Sequence, residues 1–64
     1  MSREDLENRI DYWIKRICEL KAEIELITIC IRNEKIAINL SEAASNLIKA
    51  YNMLLAAFKA LREG

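Results

Sequence analysis

Apolar positions along this chain recur with two different periods. From Leu6 to Ile24 the apolar residues are Leu6, Ile10, Trp13, Ile14, Ile17, Leu20 and Ile24. Their three- and four-residue steps place them on one stripe of a helix. From Leu26 to Leu40 the pattern changes to strict alternation. Ile27, Ile29 and Ile31 alternate with Thr28, Cys30 and Arg32, and Ile36, Ile38 and Leu40 alternate with Lys35, Ala37 and Asn39. Folding this stretch about Asn33-Glu34 sets Ile31 opposite Ile36, Ile29 opposite Ile38 and Ile27 opposite Leu40. All six then share one face, the arrangement of a half-buried β-hairpin. A slip of one residue would scatter them, so the pattern specifies a register. After Leu40 the helical period returns, with Leu47, Ile48, Tyr51, Leu54, Leu55, Phe58 and Leu61 on one face.

These periods predict an α+β fold of order α-β-β-α. The helices are expected at about residues 3–24 and 42–62, with a hairpin at about 26–40, in a single domain spanning 1–64. Both helices would pack on the isoleucine face of the hairpin. Ser2 is the expected N-cap of the first helix, and with Asp5 it approximates a capping box. Asp5–Arg9 and Asp11–Lys15 are spaced for i,i+4 ion pairs. Ser41 is the expected N-cap of the second helix, and Gly64 lies just past its end. No Gly or Pro stops the first helix near Ile24, and the stop rests on the change of period and the strand preference of β-branched residues. The rival is one helix continuing to Ile31, since Ile10, Ile17, Ile24 and Ile31 are spaced by seven, as are Leu6, Trp13, Leu20 and Ile27. A helix there exposes Leu26 and Ile29, which favours the hairpin. At the tip, a type I turn from Arg32 to Lys35 spares Glu34 a left-handed backbone.

Length alters what this pattern means. A domain of about 60 residues buries only about 60% of the surface its unfolded chain exposes. Such chains usually need a disulfide, a metal or a partner subunit. This one is 53% hydrophobic, more apolar surface than a single small core hides. Ala43, Ala50 and Ala57 form a small-residue flank beside the main face of the second helix. Met53 and, on the first helix, Tyr12 lie off their apolar stripes. These five residues are the candidate interface for a symmetric homo-oligomer, with a two-fold dimer the expected form.

Charge and chemistry then narrow the options. Ten basic and ten acidic residues are interspersed and cancel, so no basic patch for nucleic acid or anionic membrane is expected. The chain has no histidine, the commonest general base and metal ligand. Glu4, Asp5, Glu7 and Asp11 suit the positive end of a helix dipole rather than a catalytic cluster. Cys18 and Cys30 are twelve apart, match no zinc spacing, and read as free thiols of no consequence for folding. A lone glycine at the end excludes a Gly-rich phosphate loop. No catalytic, cofactor-binding or metal site is therefore expected, nor a small-molecule substrate. No signal peptide or membrane span is expected either, which suggests a soluble chain of cytosolic type.

Several local motifs add up to a style. Met1-Ser2 precedes an acidic first turn. Arg32-Asn33-Glu34-Lys35 reads as a hairpin tip, Leu40-Ser41-Glu42-Ala43-Ala44 as a strand-to-helix junction, and Lys59-Ala60-Leu61-Arg62-Glu63-Gly64 closes the chain. Proline, valine, glutamine and histidine are absent. The whole chain resembles computationally designed small proteins, and no natural family is recognised in it. Cys18, Cys30 and the absence of glycine from the β-hairpin depart from that style. The resemblance implies self-assembly as the purpose and no natural substrate. The alternative is a small natural protein-interaction module, an adaptor or an antitoxin-like dimer.

Overall fold

The computed structural model describes residues 1–64 and contains no strand. It is a helical hairpin of two long helices, α1 (Arg3–Cys30) and α2 (Glu34–Glu63), joined by Ile31, Arg32 and Asn33. At about 1.5 Å per residue the helices are about 42–45 Å long, and the molecule is a rod of 47 × 14 × 14 Å.

The α-β-β-α expectation is therefore overturned between residues 25 and 41, where both predicted strands are helical except at Ile31 and Arg32, which lie in the connection. Four local features favour helix there. The seven-residue series Ile10, Ile17, Ile24 and Ile31 runs unbroken into the connection, all on the side of α1 turned toward α2. Thr28, taken as a strand residue, bonds its hydroxyl to the Ile24 carbonyl at 2.6 Å, which suits a threonine inside a helix. Asn33, taken as a turn residue, is the N-cap of α2, and its side chain accepts from the Ile36 N–H at 3.1 Å. Glu34 follows in the first turn, where its charge complements the dipole. A helical isoleucine costs only about 0.5 kcal/mol against alanine, so packing along the whole rod outweighs local strand preference. Ser41, the expected N-cap, lies inside α2.

Other local expectations stand. Ser2 caps α1 by accepting from the Asp5 N–H at 3.1 Å. Gly64 ends α2, its N–H bonded to the Ala60 carbonyl at 3.0 Å. Asp11 and Lys15 pair at 3.0 Å. Asp5 and Arg9 do not; the other ion pairs are Arg16–Glu19 and Lys21–Glu25. The connection needs no glycine because no residue has a positive φ. Ile31 closes α1 in extended conformation, its N–H bonded to the Thr28 carbonyl at 3.2 Å.

The helices meet along matched stripes. On α2 the inward residues are Ala37, Leu40, Ala44, Leu47, Tyr51, Leu54, Phe58 and Leu61, alternating steps of three and four as in a coiled-coil seam. On α1 they are Ile10, Ile14, Ile17, Lys21, Ile24, Thr28 and Ile31. Lys21 lays its stem along this seam while its ammonium reaches Glu25 Oε1 at 2.7 Å. Only Ile10 (5% exposed) and Ala44 (7%) are buried. Each helix has one neighbour, and the rest of its circumference meets solvent.

The short connection makes Asn33 a sensitive position. Replacing it with alanine removes the acceptor for the Ile36 N–H while Arg32 and Glu34 stay unchanged. Asn33→Ala is expected to destabilise the fold by about 1 kcal/mol, the usual cost of losing an N-cap. Thermal melts of the two proteins at equal concentration measure it. The hairpin-turn reading would instead give Asn33→Ala no capping penalty at all.

Candidate oligomerisation surface

Two helices packed along one seam leave two broad flanks, and these differ in chemistry. Two grooves identify one flank. The first, of about 350 Å³, is lined by Lys21, Glu25, Thr28, Ser41, Ser45 and Ile48 among others. The second, of about 300 Å³, is lined by Ile17, Cys18, Lys21, Ile48, Tyr51 and Asn52. Ser41, Ile48 and Leu55 of α2 thus lie on the same side as Cys18, Lys21 and Glu25 of α1. This flank mixes charge, hydroxyl and apolar groups.

Helical geometry sets the opposite flank. On α1 it carries the seven-spaced row Leu6, Trp13, Leu20 and Ile27. On α2 it carries the seven-spaced row Ile36, Ala43, Ala50 and Ala57. The two rows run side by side along the rod, and neither contains a polar or charged residue. Trp13 is 42% exposed, Leu20 45% and Ile27 55%. Ala43 and Ala50 are half-buried and Ala57 is exposed. The α1 row is bulky and the α2 row is small except for Ile36, so the flank is a ridge beside a shallow trough. Its margins are more polar: Arg9, Arg16 and Glu23 lie beyond the ridge, and Asn39, Asn46 and Met53 beyond the trough.

The expected interface residues divide on this surface. Ala43, Ala50 and Ala57 form the trough, with exposed Met53 along its edge. Tyr12 does not join them. It projects from the side of α1 turned away from α2, as does Leu26, and both are exposed. The ridge of Trp13, Leu20 and Ile27 was assigned from sequence to the intramolecular core or to the hairpin. Its signal was present as the second seven-residue series on α1, but a single stripe cannot show which of its rows meets the neighbouring helix.

The end of the rod near the connection is also apolar. Leu26, Ile29 and Ile38 are exposed there, Ile29 at 81%, while Arg32, Glu34 and Lys35 keep the tip itself charged. Cys18 and Cys30 both belong to α1, so Cys30 is not on a strand, and both are free and exposed. No cluster of three or more His, Cys, Asp or Glu side chains is placed to hold a metal ion. No side-chain polar group is buried without a hydrogen bond. No helix is long and apolar enough to cross a membrane.

The class defined by this geometry is an antiparallel helical hairpin. No family model, curated protein or solved structure matches the chain.

Proposed function

We propose that this chain is a self-assembling structural protein whose activity is to form a symmetric homodimer, two hairpins making a four-helix bundle. The observation that carries this reading is surface area. A compact monomer of 7.4 kDa exposes about 4,200 Å² by the size scaling of folded proteins. This hairpin exposes 5173 Å², an excess of about 1,000 Å² on that scaling. A standard interface takes about 800 Å² from each partner. The uncharged ridge-and-trough flank provides a contiguous place for it, larger in kind than the scattered apolar groups of an ordinary surface.

The partner is a second copy because the flank carries both a bulky row and a small row, the relief an isologous contact requires. Catalysis has no part in this reading: the chain lacks histidine, and Lys21, which shares a groove with Cys18, is paired with Glu25. Nor does nucleic acid, since the balanced charges offer no clustered cations to neutralise phosphates. The resemblance to designed small proteins points the same way.

Sedimentation velocity and light scattering at tens of micromolar test the proposal, a range where weak association shows. The expected mass is twice that of the chain. Trp13 reports the same event: its emission should shift to the red on dilution as the ridge becomes wet. A monomer at that concentration, with helical circular dichroism intact, overturns self-assembly. A larger closed oligomer would retain self-assembly and overturn the two-fold form.

A further inference from the structure

Two hairpins can stack flank to flank on a two-fold axis in two ways, and the relief of the flank distinguishes them. With the axis parallel to the rod, each α1 lies over the partner's α2, and both connections emerge at the same end. With the axis across the rod, α1 lies over α1 and α2 over α2, and the connections emerge at opposite ends.

The first arrangement seats Leu6, Trp13 and Leu20 of each copy opposite the partner's Ala57, Ala50 and Ala43, with Ile27 against Ile36 at the connection end. Bulky meets small along most of both helix pairs, so both reach similar separations, within the usual 8–10 Å or so between packed helices. The second sets ridge on ridge and trough on trough. One helix pair is then held apart by Trp13 and Leu20 while the other is free to close on its alanines, and the two flanks cannot lie parallel.

We infer that the chain dimerises about a two-fold axis parallel to its long axis, with both connections at one end and the ridge of each copy in the trough of the other. This rests on the self-assembly proposed above and adds its geometry. It also gathers the isoleucine-rich ends of both copies at one end of the bundle, where Ile27 of each copy approaches the partner's Ile36.

Pulsed dipolar spectroscopy of spin-labelled protein tests it. Arg32→Cys in the connection takes the label, in a Cys18→Ala, Cys30→Ala background that leaves no other thiol. Light scattering on the same sample establishes its mass. The expected result is a dimer with a label-to-label distance below about 30 Å, a helix spacing of 8–10 Å plus the two tethers. Glu63→Cys, labelled at the open end of the rod, should give a similarly short distance and serves if the connection variant fails to fold. A dimer whose distances centre near the 47 Å rod length, or are spread over both lengths, overturns this geometry while self-assembly stands. A labelled monomer, in a background that is itself monomeric, overturns both.

Discussion

Ala50→Glu is expected to abolish the dimer. Ala50 lies in the trough, half-buried in the hairpin alone and covered by the partner's ridge in the proposed dimer. Glutamate is nearly as good a helix former as alanine, so the substitution leaves the local preference of α2 unchanged. Its effect comes from burying a carboxylate with no cation opposite. An ion taken from water without a partner costs several kcal/mol, and the two-fold axis imposes that cost twice. A total of about 5 kcal/mol would weaken association more than a thousandfold. Helicity should fall with it, since the lone hairpin buries only Ile10 and Ala44. Lys15→Glu is the matched control. Lys15 is exposed and loses only its surface pair with Asp11, a change within about 0.5–1 kcal/mol. Sedimentation equilibrium and far-ultraviolet circular dichroism read both outcomes. Ala50→Glu with wild-type mass and melting would show that another surface makes the contact.

Ile10→Ala is expected to be the most damaging truncation in the chain. Ile10 is the only large side chain that the hairpin buries, at 5% exposure. Removing its outer carbons forfeits their burial and leaves a cavity between the helices, a loss of about 2–5 kcal/mol for Ile→Ala at buried sites. Domains of this size hold only a few kcal/mol in total, so the variant should be largely unfolded at room temperature. Ile29→Ala provides the contrast. At 81% exposure, and outside the ridge and trough, Ile29 has little burial to lose, and alanine improves helix propensity by about 0.5 kcal/mol. Its melting should stay within a few degrees of the parent. In an α-β-β-α fold Ile29 would sit in the core opposite Ile38, and its truncation would cost as much as that of Ile10. The pair of melts therefore tests the helical fold as well as the size of the core.

That contrast marks where local patterns stopped being informative. Ser2, Gly64 and the Asp11–Lys15 pair each act within one or two turns, and each was legible from spacing alone. The inward stripe of α1 was legible too, because Ile10, Ile14, Ile17 and Ile24 repeat at a period only a helix has. Residues 26–40 were misread. Their isoleucines satisfy an alternating pattern and a seven-residue pattern at once, and only the β-hairpin leaves few apolar groups exposed. Exposure decides between them only if a chain buries its apolar residues against itself. In a hairpin with only one seam, Leu26, Ile29, Ile36 and Ile38 remain exposed and the helix forms regardless.

The candidate interface was half legible for a related reason. The seven-residue spacing of Ala43, Ala50 and Ala57 is a property of α2 alone, so those positions were found. Their bulky counterpart was not, because Trp13, Leu20 and Ile27 share a helix face with Ile10, Ile17 and Ile24. Only the direction from which α2 approaches separates the row that is covered from the row left open. By itself the sequence determined where the chain caps, which residues ride together on each helix, and that the apolar content exceeds what one small core can hide. The tertiary structure decided that residues 26–30 and 34–40 continue the helices and which apolar row is left open. The physical reason is one of range: caps and periods depend on neighbours within a few residues, whereas burial depends on where a segment some 30 residues away comes to rest.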